Sequence, residues 1–262
     1  MAEAAEQATP RILVVNDDGI TAPGIQALIE VAKEFGQALV VAPDSPQSGM
    51  GHAISIGKPL RMVKEQLPSG VEGYACSGTP VDCVKLASDV LLGGQKPDLL
   101  VSGINHGANS SVSVLYSGTM SAAVEGAIAN IPSIGFSLCD FSWEADFSTA
   151  QEVARRVIAK ALANPFPMHT ALNVNIPKVQ LADLKGIRIT RQSAGQFVGE
   201  FDHRVDPYGR DYYWLTGEFD LRDTGEDTDE WALRNNYASA CPVQIDMTAH
   251  HALSEINTWG LH

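Results

Sequence analysis

Apolar and polar positions along this chain repeat with two alternating periods. Arg11 to Asn16 (RILVVN) is a short apolar run closed by Asp17-Asp18-Gly19, which predicts a buried strand ending in a turn. From Pro23 the spacing changes. Ile25, Leu28, Ile29, Ala32 and Phe35 recur at helical intervals, with proline in the first turn and Gly36 as the stop. Gln37 to Ala42 is the next β run, and Pro43 to Gly49 (PDSPQSG) is too rich in turn formers to be anything but loop. Residues 53 to 77 carry Gly57, Pro59, Pro68 and Gly73, which predicts irregular strands in a hairpin at a sheet edge. Further along, Val81 to Leu92 reads as helix, Pro97 to Gly103 as strand and Ile104 to Ser117 as a long polar loop. Thr119 to Asn130 then predicts a helix of small residues, Ile131 to Ser137 a strand, Ser148 to Ala163 a helix and Leu172 to Ile176 a strand.

Alternating strands and helices imply an α/β fold with a doubly wound, mostly parallel sheet. From about residue 187 the character changes to aromatic, β-like stretches around 197–201 and 212–216, ending in a strand near 243–247 and a short helix near 249–256. The chain is therefore divided into an N-terminal extension (1–10), an α/β core (11–186) and a C-terminal extension of strands, hairpin and tail (187–262). Such an arm is too small for its own core and is expected to pack on another subunit.

Net charge changes the picture of partners. The chain of 262 residues carries −13, with eleven Asp or Glu against three Arg in residues 200–230. This argues against a broad surface for duplex DNA or RNA, which needs clustered Lys and Arg. The acidic stretch from 218 to 230 is expected to be a solvated hairpin tip. Four cysteines (Cys76, Cys83, Cys139, Cys241) lack C-x-x-C spacing and read as buried free thiols in a reducing compartment. The first residues lack a signal-peptide pattern and no 18-residue apolar stretch follows, so a cytoplasmic location and no membrane contact are expected.

In an open parallel sheet, ligands bind beyond the carboxyl ends of the strands, and three polar loops converge there. Asp17 and Asp18 follow the first strand, Ser45 and Ser48 the second, and Asn105 with Asn109 the Leu99–Gly103 strand. Alone, Asn16-Asp17-Asp18-Gly19 is an ordinary turn; with the other two loops on the same edge it becomes an all-oxygen set suited to Mg²⁺, Mn²⁺ or Ca²⁺. Ser117-Gly118-Thr119 opens a helix, where free N–H groups and the dipole favour an anion such as phosphate, although a plain N-cap has the same sequence. His52 and His106 lie in these loops as general acids, phosphate donors or simple surface histidines. Walker, dinucleotide and G-x-S-x-G hydrolase patterns are absent.

ILVVNDDGI at 12–20, APDSPQSGMGHAIS at 42–55, SGTPVDCVKLA at 77–87, PDLLVSGINHGAN at 97–109 and YSGTMSAAVEGA at 116–127 together resemble the SurE survival-protein family. The resemblance covers residues 11 to about 247 and implies a metal-dependent phosphatase, a 5′-nucleotidase acting on nucleoside 5′- and 3′-monophosphates. It implies a Rossmann-like core, a C-terminal hairpin and tail exchanged between subunits of a homodimer or homotetramer, and one divalent ion per subunit, Mg²⁺ or Mn²⁺, with Ca²⁺ as an occupant in crystals. By the same resemblance, Asp17, Asp18, Ser48 and Asn105 are metal ligands, and Asn109, Ser117, Gly118 and Thr119 contact phosphate. The family often carries Arg after the ligand Asn, where this chain has His106.

Metal-activated water attacking in line is the expected chemistry, with Asp17 or Asp18 orienting that water or taking its proton. An aspartyl-phosphate route ranks below it, because D-x-D is missing. A non-catalytic nucleotide or metal sensor and a metal-dependent glycosyl or nucleotidyl transferase are the rival classes.

Overall fold

Ile12 to Val15 are completely buried because they point alternately to two different cores. A computed structural model of the protein describes residues 9–261, so residues 1–8 of the expected N-terminal extension lie outside the described residues. The elements run in the order β1 (Arg11–Val15), α1 (Pro23–Lys33), β2 (Gln37–Pro43), β3 (Met62–Gln66), β4 (Glu72–Cys76) and α2 (Pro80–Leu86), the last extended by a π turn at Ala87–Leu91. Then come β5 (Leu99–His106), a 3-10 turn at Ser111–Leu115, α3 (Gly118–Ile128), β6 (Ser133–Leu138), α4 (Ser148–Ala163) and β7 (Thr170–Ile176). The remainder holds β8 (Ile187–Ile189), β9 (Gly195–Val198), β10 (Phe201–Val205), β11 (Asp211–Leu215), β12 (Glu218–Leu221), α5 (Asp229–Arg234), β13 (Ala238–Gln244) and α6 (Leu253–Asn257).

Nine strands form one sheet in the order β3-β4-β2-β1-β5-β6-β7-β13-β8. Strands β4 to β7 across the middle are mutually parallel, β3 turns back on β4, and β13 runs antiparallel to β7. This is the expected α/β fold with a mostly parallel sheet. The period-2 alternation of β1 decides its layers. Ile12 and Val14 pack with Ile25, Leu28 and Ile29 of α1 and Val153 and Ile158 of α4. Leu13 and Val15 face Cys83 and Val84 of α2 and Ala122 of α3. The small residues of α3 bring that helix down onto the sheet.

The hairpin at 53–77 is the β3–β4 edge, with no regular structure before Met62. In the C-terminal segment, β8 and β13 run in the main sheet, while β10–β11 and β9–β12 form two separate antiparallel pairs. The acidic stretch 218–230 is not a solvated tip. It forms β12 and opens α5, whose Asp229 is buried. Thr228 caps α5 by accepting from Trp231 N at 3.2 Å, and this local signal is masked by the surrounding charge.

Candidate active site

Sheet order reverses at β1, with β2 on one side and β5 on the other, so a crevice opens beyond the ends of β1 and β5. Asp17 and Asp18 emerge into it. Their turn is held by Asn16 Nδ2 donating to Gly19 O at 2.8 Å and by Ile20 N donating to Pro43 O at 2.9 Å. The segment is thus both a turn and the bearer of two carboxylates.

Asp17 is only 4% exposed. Thr119 Oγ1 donates to its Oδ1 at 2.5 Å, and a Cβ on Gly118 would fall 2.6 Å from Asp17 Cβ, so only glycine lets the first turn of α3 close over this carboxylate. Burial pushes the Asp17 carboxyl up to about 6, the Thr119 hydrogen bond opposes it, and the Asp18 charge adds to the rise. Asp18 is less buried; its Oδ2 accepts from His106 N at 3.2 Å, and burial raises its pKa as well. Among the described residues no Lys or Arg offsets either carboxylate.

Asn105 reaches the crevice through an irregularity in β5. Pairing with β6 slips between Ser102 and Asn105, where Gly103 has φ of +121° and a Cβ would lie 2.3 Å from Phe136 O. Both Asn105 amide protons are taken up by the carbonyls of His106 (3.2 Å) and Gly107 (2.8 Å), which leaves Oδ1 as its free acceptor. Ser48 lies exposed in the loop after β2, next to Gln47, whose N donates to Asp17 O at 2.8 Å. The far end of that loop is tied down by Thr79 Oγ1 on Ala53 O (2.7 Å) and by His52 Nε2 on Glu125 Oε2 (3.0 Å).

Two desolvated carboxylates, the Asn105 amide oxygen and the Ser48 hydroxyl would together offer a hard, all-oxygen donor set. No group of three His, Cys, Asp or Glu lies together among the described residues, so a thiolate or imidazole site is not built here. A small divalent cation would suit such donors and would relieve the repulsion between Asp17 and Asp18.

The residues expected at phosphate are arranged more indirectly. Ser117 caps α3, its Oγ accepting from Met120 N at 3.0 Å, and Thr119 turns its hydroxyl to Asp17. Asn109 is locked into a buried amide network. Its Nδ2 donates to Ser137 Oγ (2.8 Å), its N to Asn175 Oδ1 (2.7 Å), and its O accepts from Asn173 Nδ2 (2.8 Å). His106 presents its backbone N–H to Asp18, while its ring Nδ1 contacts Ser142 O at 2.8 Å. Asp229 went unrecognised in the sequence. It accepts from Ser111 N (2.8 Å) and Ser193 N (2.9 Å), and beside it Glu230 Oε1 accepts from Ser110 Oγ (2.5 Å), bracing the loop that delivers Ser117. The alternating Asn173 and Asn175 in an otherwise apolar strand were the legible sign of this polar layer.

The family model described as Survival protein SurE matches residues 12–198. The chain belongs to the SurE family. A SurE relative from Flavobacterium psychrophilum, named 5′-nucleotidase SurE, is 57% identical over 254 residues, covering 97% of this chain and 98% of its own. A relative of the same name from Cytophaga hutchinsonii is 56% identical over 248 residues, covering 95% and 96%. The crystal structure of the SurE protein from Aquifex aeolicus superposes with a TM-score of 0.83 at 39% identity, over 95% of this chain and 99% of that one. The SurE fold matches the doubly wound sheet expected from the sequence, and the site described above lies at its crevice.

Proposed function

We propose that this SurE protein hydrolyses nucleoside 5′- and 3′-monophosphates to nucleoside and phosphate, dependent on one divalent cation, Mg²⁺ or Mn²⁺, held by Asp17, Asp18, Ser48 and Asn105. The observation that carries this reading is the pair of adjacent, desolvated carboxylates beside the first turn of α3, with no Lys or Arg among the described residues paired to either. The curated relatives named 5′-nucleotidase SurE support it.

A bound divalent cation supplies charge neutralisation for the phosphoryl oxygens and a lowered pKa for water. The chain's own residues do the rest. Asp17, fixed by Thr119, is the anchoring carboxylate. Asp18, the more exposed of the two, orients the attacking water and takes its proton. We assign the phosphate to the first turn of α3, where Gly118 and Thr119 present the positive end of the helix, with Asn109 and Ser117 shaping the flank. Such fixed donors matter because phosphoryl transfer is governed by positioning and electrostatics.

Assembly as a homodimer or homotetramer through β10–β11 and the tail belongs to the same reading. Phe201, Tyr213, Trp214, Leu215 and Trp259 are each more than half exposed, an apolar surface suited to a second copy. Action in the cytoplasm agrees with four free cysteines. No described helix is long and apolar enough to cross a membrane.

The test is phosphate release from a panel of nucleoside monophosphates with Mg²⁺, Mn²⁺ or EDTA. Release that requires the metal is expected. Nucleotide binding with no release under any metal would replace this reading with a sensor, and transfer of phosphate or nucleotide to another acceptor would replace it with a transferase.

A further inference from the structure

The loop from β6 to α4, Cys139 to Phe147 (CDFSWEADF), carries three aromatic side chains at the same sheet edge as Asp17 and Asp18. Phe147 is buried and meets the His106 ring edge-on, with centroids 5.1 Å apart. Trp143 stacks on His106 at 5.3 Å with planes 11° apart, while 59% of it stays exposed. Phe141 is 83% exposed and packs a ring edge over Gly107, where a Cβ would come within 2.3 Å of it. The loop is held in place: His106 Nδ1 contacts Ser142 O at 2.8 Å, Ser142 N donates to Asp140 Oδ1 at 3.0 Å, and Asp140 pairs with Lys178 at 2.9 Å.

We propose that Trp143, assisted by Phe141, is the stacking platform for the nucleobase of the substrate. This rests on the nucleotidase reading and adds the part of the site that grips the nucleoside. His106 N touches Asp18, so the aromatic faces begin one residue beyond the carboxylates. A nucleoside monophosphate separates phosphate from base by one ribose ring, and His106 is the residue that links Asp18 to Trp143 here. With Asp140 neutralised by Lys178, the loop still carries Glu144 and Asp146, which disfavour phosphate while tolerating a neutral base. That polarity orients the nucleotide, with phosphate at α3 and base at Trp143. A tryptophan with one face already packed loses little freedom on receiving a base on the other. Stacking is also indifferent to base identity, because every base has a π face.

The experiment compares wild type, Trp143→Ala and Trp143→Phe on adenosine monophosphate and on ribose 5-phosphate, which has no base. Trp143→Ala is expected to lower the ratio of kcat/KM for the nucleotide over the sugar phosphate by about 5- to 100-fold, mostly through KM, and Trp143→Phe to restore most of it. An unchanged ratio overturns the proposal. Calorimetric titration with adenosine, which needs no turnover, separates this from failure of the nucleotidase reading. If the wild type releases no phosphate, adenosine binding that weakens in Trp143→Ala still supports the platform, and absent or unaltered binding overturns it.

Discussion

Strands β5 and β11 show two opposite solutions for polar and apolar side chains in one molecule. Seven of the eight residues of β5 are buried, Ser102 and Asn105 among them, whereas all five of β11, including Tyr212, Tyr213 and Trp214, are exposed. Where β5 ends, the chain surrounds its own polar groups with Asn173, Asn175, Ser137, Thr119 and Asp229, so the crevice is completed internally. Around β11 it leaves aromatic surface with, among the described residues, only one strand, β10, paired to it. The first region holds its polar groups in place through internal hydrogen bonds, and the second presents its side chains to solvent. Changes at the crevice should therefore alter chemistry, and changes at the hairpin should alter assembly.

The largest effect is expected from Asp18→Asn, which should lower phosphate release by at least about 10²-fold with the fold intact by circular dichroism. Next comes a pH dependence of the metal-free protein. The Asp17 carboxyl is raised to about 6 when folded, against 3.8 when free. Between those values the unfolded chain is ionised while the folded one keeps its proton, so stability in EDTA should fall as pH rises from about 4 to about 6. The loss is up to about 3 kcal/mol, read from denaturant titrations, and Asp17→Asn should flatten the slope. Thr119→Val, which removes the donor on Asp17, should weaken metal affinity by roughly 10- to 100-fold, measured by calorimetry. The smallest effect on stability belongs to the hairpin. Replacing Tyr213 and Trp214 by Ser should shift unfolding by under about 0.5 kcal/mol while reducing the mass seen by sedimentation. An unchanged mass would break the contrast between the two regions.

The core of the sheet was legible because apolar runs and helical spacing are local properties, and Arg11–Val15, Pro23–Lys33 and Ser148–Ala163 all follow them. The placement of Asp17, Asp18 and Asn105 at one sheet edge was legible for a topological reason, since loops at the carboxyl ends of neighbouring parallel strands converge. What sequence could not reveal was who touches whom. Ser117-Gly118-Thr119 read as an anion cradle or a plain N-cap; Ser117 does cap α3, but nothing in the sequence showed that the Thr119 hydroxyl meets a carboxylate 102 residues away. Asp229 lay in a segment whose net charge suggested solvent, and only the approach of Ser111 and Ser193 from other parts of the chain makes its burial favourable. The His106 ring shows the same lesson: whether it was an acid, a phosphate donor or a plain loop histidine stayed open in the sequence, and nothing local announced its packing against the aromatics of the following loop.

The most direct test is a calorimetric titration of Mn²⁺ into metal-stripped protein, wild type beside Asp18→Asn, with phosphate release measured on the same samples. One ion bound per chain in the wild type, with binding and turnover lost together in the variant, is the predicted result. Undiminished Mn²⁺ affinity in Asp18→Asn, or turnover that survives without the metal, would contradict a cation held at Asp17 and Asp18.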